Sequence, residues 1–172
     1  MSYDFLKLEK SPRLLVKAFE LIGIKEIVGE KHNPKILEWA DKLGLKKVYT
    51  SDEIAWCGLY VAYSCYLAGI EVVKEPLWAR NWAKWGTNQD KAMLGDVLVF
   101  SRGSGGHVGI YVGEDTVCYH VLGGNQGNSV SITRILKSRC IAIRRTAWKI
   151  SQPENVRVVK LSSTGSFSNN EA

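Results

Sequence analysis

The chain has 172 residues, of which 45% are hydrophobic and 23% charged. That length and balance fit one domain with a real core, and they exclude both two full-sized domains and disorder over the whole length. The net charge of +6 suits an anionic polymer such as cell wall or nucleic acid only weakly, because the basic residues are scattered. No nucleic-acid partner is expected.

Residues 1–13 are a charged lead-in with no apolar h-region. They do not read as a secretory signal, so synthesis in the cytoplasm is expected. Leu15, Ala18, Phe19 and Ile22 then fall at helical spacing, and Gly23 stops that helix. Asn33-Pro34 predicts an N-cap followed by proline at the first helical position. Ile36, Leu37, Ala40 and Leu43 are the apolar face of this second helix, Gly44 is its stop, and Glu38 with Lys42 is a favourable i,i+4 pair.

A third helix is predicted within residues 55–68, ending at Gly69 and apolar nearly all round. Residues 54–70 carry no charge, which is the short limit for spanning a bilayer. Ser64 and the tyrosines in the run favour a buried central helix of a soluble protein, with no transmembrane segment. Trp78, Trp82 and Trp85 follow at helical spacing.

The texture then changes to short β-branched runs at 96–101, 107–112, 116–122, 129–133 and 139–145. Gly113-Glu114-Asp115 reads as a tight hairpin turn. The runs lie too close together for crossover helices, so the sheet is antiparallel, with five strands. Helices first and strands second give an α+β fold. The chain divides into a lead-in (1–13), one domain (14–148) and a polar tail (149–172). That tail is expected to be loosely held or to serve as a docking extension.

Cys57, Cys65, Cys118 and Cys140 are spaced as neither a disulfide framework nor a zinc pattern. Cys57 follows a run of polar capping residues and enters the apolar helix. Near a helix N-terminus, the unpaired N–H groups and the dipole favour the reactive thiolate. A capping box at Thr50-x-x-Glu53 would instead place Cys57 in the second turn. His107 comes directly after a glycine-rich turn and opens a strand, where its imidazole would face a cleft. Antiparallel pairing of 107–112 with 116–122 returns Asn125 beside His107, where an amide oxygen can fix the tautomer of the ring. The competing reading makes Asn125 and its glycines a simple turn.

Cys118 and His120 share a strand face and form a rival pair, with core packing as the default. Cys65 and Cys140 read as core, and His32 as surface. Trp78, Trp82 and Trp85 either stack on sugars, if exposed, or belong to the core.

Five motifs occur together and in order: Gly23-Ile24-Lys25-Glu26-Ile27-x-Gly29 with Asn33-Pro34-x-Ile36; Asp52-Glu53-x-x-Trp56-Cys57; Gly95-Asp96-x-x-Val99-Phe100; Gly106-His107-Val108-Gly109; and Gly123-Gly124-Asn125-Gln126. Over residues 14–148 the chain resembles small phage and bacterial cell-wall hydrolases of the CHAP/NlpC-like group of papain-fold cysteine peptidases and amidases. The resemblance implies a papain-like fold, in which N-terminal helices and a central helix bearing the nucleophile pack on the sheet. It implies a catalytic Cys57, a base His107 and a third polar residue, Asn125, with Gln126 as the alternative. Trp56, Trp82 and Trp85 are candidate substrate-binding residues. The activity implied is cleavage of an amide bond in bacterial peptidoglycan, as an amidase or an endopeptidase, with no metal or organic cofactor. The calcium-binding acidic loop of some relatives has no counterpart.

Such a protein would act at the cell wall as a phage lysin, a virion-borne lytic protein or a secretion-system toxin, and its tail could engage other virion proteins. The rival functions are a non-catalytic virion or wall-binding protein on the same fold, and a papain-fold acyltransferase or deamidase acting on proteins.

Overall fold

The computed structural model describes residues 3–8, 10–148 and 151–168. Its helices are α1 (Phe5–Leu8), α2 (Arg13–Phe19), α3 (Pro34–Lys42) and α4 (Cys57–Ala68), followed by a 3₁₀ helix at Ala79–Lys84. The strands are β1 (Thr87–Asn88), β2 (Val97–Arg102), β3 (Gly105–Glu114), β4 (Cys118–Gly123), β5 (Ser131–Leu136) and β6 (Cys140–Arg145). They form one sheet in the order β1-β6-β2-β3-β4-β5, with every pair antiparallel. The fold is therefore α+β, with six strands where the sequence predicts five. The additional strand, β1, is a two-residue pairing with Arg144 and Arg145, too short to carry a hydrophobic period.

α4 is the centre. Its Leu59, Tyr60, Val61, Ala62 and Cys65 are all fully buried, because α2, α3 and β3 all pack on it. A helix covered in this way needs no polar face. It ends at Gly69, which takes the left-handed conformation (φ 67°) that closes a helix without a Cβ penalty. Asn33 caps α3 as its side chain accepts from the Lys35 N–H at 2.9 Å. Among the described residues no helix is long and apolar enough to cross a membrane.

One alternative is excluded and two local expectations are corrected. α4 starts at Cys57 with Trp56 as N-cap, and Glu53 N–H donates to Ser51 Oγ, so the capping-box alternative does not form. The tryptophan segment is a 3₁₀ helix and not an α-helix. The hairpin turn lies one step later than Gly113-Glu114-Asp115: β3 runs through Glu114, and Asp115 closes the turn by accepting from the Val117 and Cys118 N–H groups, each at 3.0 Å. An aspartate can build a turn around its own carboxylate, which a glycine cannot.

The Gly95-Asp96 motif has a structural reason. Asp96 is 1% exposed and meets Arg145 of β6 in a bidentate pair, Nε to Oδ1 at 2.6 Å and Nη2 to Oδ2 at 2.7 Å. It also accepts from the Met93 N–H at 2.8 Å. Burial pushes the Asp96 carboxyl above its usual range in spite of Arg145 and that N–H. The pair therefore fixes the geometry of the β2 entry at an electrostatic cost. Removing one partner strands the other charge. Arg145→Ala should lower unfolding free energy by about 3–5 kcal/mol in urea titrations. A loss below about 1 kcal/mol would mean that water replaces the guanidinium.

The described part of the tail is not loose. Val159 O accepts from Glu114 N–H and Leu161 N–H donates to Glu114 O, both at 2.8 Å. Further on, Arg134 N–H donates to Ser166 O at 2.7 Å and Ser168 N–H to Arg134 O at 3.0 Å. The segment thus straps the end of β3 and the outer edge of β5, covering backbone groups that an edge strand would otherwise expose. Residues 149, 150 and 169–172 of the expected tail lie outside the described residues.

Candidate active site

Cys57 is the first residue of α4, where the backbone N–H groups have no partner four residues back. The N–H groups of Val108, Gly58 and Cys57 itself face the sulfur, and the charge of Arg102 acts on it. Burial is the largest influence and outweighs them all, so the thiol lies above its ordinary value and not below it. The expected low-pKa thiolate is corrected accordingly. Cys57 is 4% exposed, and desolvation penalises the charged form more than the helix end favours it.

The sign of that shift gives a pH profile. With the thiol raised, the thiolate is a small fraction at neutral pH. Labelling of Cys57 by iodoacetamide should climb about tenfold per pH unit and level off only above the ordinary thiol value of 9.0. A plateau already reached at neutral pH, measured by peptide mapping, would mean a preformed thiolate.

His107 is the third residue of β3 and is fully buried. That also corrects an expectation, since a strand-end imidazole was to face an open cleft. The glycine turn ends sooner: Gly105 and Gly106 already pair with Arg102 and Ser101. His107 sits opposite Phe100, with ring centroids 6.4 Å apart. Its Nε2 lies 3.0 Å from Gln126 Oε1.

The Gln126 amide is held from its other end. Its Nε2 donates to Val121 O at 3.1 Å and to Ser131 O at 2.6 Å. Two carbonyl acceptors fix which end of the amide is nitrogen. Oε1 must then face the ring, and His107 Nε2 must carry the proton that it accepts. The lone pair of the neutral ring is thereby assigned to Nδ1, the atom that can act as base.

Asn125 and Gln126 exchange the places the sequence gives them. Asn125 adopts φ 56°, a left-handed position that asparagine tolerates. Its Nδ2 donates away from the histidine, to Glu26 Oε2 at 3.2 Å. The bend breaks strand alternation, and Gln126 is the side chain that meets His107. Gly123 is needed for this contact. A Cβ there would stand 2.6 Å from Gln126 Oε1 and 3.2 Å from His107 Nε2. Gly124 is closed in as well, its Cβ direction ending 2.6 Å from Tyr60 Cβ and 2.8 Å from the Trp56 ring. The two glycines thus permit close approach on both sides of the loop.

The tryptophans proposed for substrate contact are core. Trp56 and Trp82 are fully buried and Trp85 is 6% exposed. Their indole N–H groups are committed to Glu26 Oε2, Pro76 O and Glu71 O at 2.9, 3.0 and 2.8 Å. The exposed tryptophan is Trp78, at 70%. Cys118 and His120 are buried too. His120 is clasped between Tyr3 Oη at 2.8 Å and Asp115 Oδ2 at 3.0 Å, with Arg134 Nε on the same carboxylate oxygen at 2.8 Å. Burial alone would raise Asp115, but Arg134, the Val117 and Cys118 N–H groups and His120 outweigh it and hold its carboxyl below the usual range. Both ring nitrogens of His120 are engaged, and Arg134 neutralises the carboxylate, so the rival pair reads as a structural knot.

His32, expected at the surface, is not fully exposed: it is half-buried and bonds Asp52 Oδ1 at 2.9 Å. Asp52, fully buried, also accepts at Oδ2 from the Ile27 and Asn33 N–H groups at 3.0 and 2.7 Å. It staples the loop at residues 23–33 to the segment leading into Cys57. Asp52 and Glu26 both stand in the sequence motifs, but nothing local in the sequence marks either for such a role. Among the described residues, no three His, Cys, Asp or Glu side chains gather as a metal-ligand set. No protein-family model matches the chain, and no curated protein is significantly similar to it.

Proposed function

We propose that the protein is a cysteine hydrolase of papain-like architecture that cleaves an amide bond in bacterial peptidoglycan, as an amidase or endopeptidase. The observation that carries the reading is the 3.0 Å contact between His107 Nε2 and Gln126 Oε1, on the residue next to Val108, whose N–H faces the Cys57 sulfur. A nucleophile at a helix start, a histidine of fixed tautomer on the strand whose next N–H faces the sulfur, and an amide that orients its ring are the parts used for acyl transfer through a thioester.

Because burial keeps the Cys57 thiol protonated, attack and deprotonation are coupled. His107 Nδ1 takes the thiol proton as the sulfur adds to the carbonyl carbon. The carbonyl oxygen becomes an oxyanion, and the Cys57 backbone N–H at the helix start is its donor. The tetrahedral intermediate collapses, the C–N bond breaks, and His107 returns the proton to the leaving amine. Water, deprotonated by the same nitrogen, then cleaves the thioester and restores the thiol. Through the cycle Gln126 accepts from Nε2–H and prevents the ring from turning. The resemblance of the five motifs to wall hydrolases supplies the substrate, and the mild positive charge of +6 suits an anionic wall.

The test is digestion of purified sacculi followed by mass analysis of the released fragments. New amine and carboxyl ends, absent with Cys57→Ala, are the expected result, and their position names the bond cut. Sacculi left intact by the wild-type chain would favour a non-catalytic wall or virion protein on the same fold.

A further inference from the structure

We infer that Glu26 is a positioning residue whose carboxylate ties the nucleophile to the loop that orients the base. The inference rests on the cysteine-hydrolase reading of Cys57, His107 and Gln126. One oxygen, Glu26 Oε2, accepts from two directions: from Trp56 Nε1 at 2.9 Å and from Asn125 Nδ2 at 3.2 Å. Trp56 is the residue immediately before the nucleophile and the N-cap of its helix. Asn125 is the residue immediately before Gln126, which holds the His107 ring. A single oxygen thus links the neighbours of two groups that come from separate parts of the chain.

The rest of the loop does not depend on this carboxylate. Gly23 N–H donates to Val130 O at 2.9 Å, Val130 N–H to Ile24 O at 2.7 Å and Glu26 N–H to Asn128 O at 2.9 Å. Asp52 grips the Ile27 and Asn33 N–H groups on the other side. The backbone of residues 23–33 is therefore anchored at both ends whatever side chain stands at 26. What the carboxylate adds is cross-bracing between the Trp56 indole and the left-handed Asn125. Without it, the Asn125-Gln126 turn loses a restraint on the side facing α4, and the His107 ring can shift relative to the sulfur. Displacements of about 1 Å in a reacting constellation cost on the order of 10²-fold in rate. A Gln side chain offers one acceptor oxygen at the same place, so it keeps the brace without the charge.

The experiment compares wild type, Glu26→Ala and Glu26→Gln as full chains, with two readouts. One is steady-state release of fragments from sacculi. The other is the acylation of Cys57 by p-nitrophenyl acetate, read as the p-nitrophenolate burst, which needs the dyad and no wall substrate. Glu26→Ala should lower kcat and the burst rate by about 10- to 100-fold with KM changed by less than about threefold. Glu26→Gln should restore both to within about threefold of wild type, and that rescue separates bracing from general destabilisation. A wild-type burst in Glu26→Ala, or a Glu26→Gln as impaired as Glu26→Ala, would overturn the inference. A wild type that acylates at Cys57 but leaves sacculi intact would instead overturn the assigned substrate, and the burst series would still decide Glu26.

Discussion

Cys57→Ala is expected to abolish fragment release from sacculi, a fall of about 10⁴-fold or more, with the fold retained. The other three cysteines are poorly placed to take the sulfur's part: Cys118 is buried in β4 and its thiol is raised by that burial. Cys65 lies in the interior of α4 with its thiol pushed up to about 12 by burial. Cys140, at the start of β6, is likewise pushed up to about 11 and donates its S–H to Ala142 O. Replacing the CH2–SH side chain by a methyl group leaves only a small void, so the variant should unfold close to wild type.

His107→Ala should be equally inactive, for a different reason, and less stable. Its ring fills a fully buried site against Phe100 and satisfies Gln126 Oε1. Removal opens a cavity and strands an acceptor, the latter costing about 1–3 kcal/mol. Circular dichroism and urea unfolding separate loss of chemistry from loss of structure. Activity retained in Cys57→Ala would move the nucleophile elsewhere.

The skeleton was legible because its signals are local. Asn33-Pro34 marks the start of α3, Gly69 the end of α4, and the apolar run between Cys57 and Ala68 its burial. β1 was not legible, since its two residues are ordered by β6 and by Arg144, whose guanidinium bonds Trp85 O and Gly86 O. The Trp segment kept a helical spacing but winds as 3₁₀, a distinction that apolar spacing alone does not encode.

At the candidate site, Cys57 and His107 stood out as residue types in motifs. Their burial did not, because it depends on which loops cover them. Gly123 and Gly124 look like turn residues in a sequence, but the structure gives them a second function. Each leaves space that a side chain already fills, the Gln126 amide for one and the Trp56 ring for the other. Glu26 and Asp52 lay inside quoted motifs, yet nothing local says that a carboxylate near residue 26 reaches Trp56 and Asn125. Such long-range polar contacts are specified by the tertiary fold and read only from it.

The contrast between Gln126 and Asn125 yields the second large effect. Gln126→Met keeps the length of the side chain and removes both its acceptor and its donor. His107 Nε2–H then loses the Oε1 that holds it, and the ring can turn or change tautomer. Either change misdirects the Nδ1 lone pair that the proposed mechanism needs as base. Positioned acid–base catalysis contributes about 10²–10⁴-fold, so kcat on sacculi should fall by a large part of that range, with KM little changed.

Asn125 requires a different substitution. Its φ of 56° would strain an alanine and confuse backbone with side chain. Asn125→Gly accepts the same conformation and removes only the amide that reaches Glu26. It should cost about tenfold or less, because it loosens the brace while Gln126 still holds the ring through Val121 O and Ser131 O. If Asn125→Gly proves more damaging to kcat than Gln126→Met, the oxygen that orients His107 during turnover belongs to Asn125, and the 126 amide merely fills the loop.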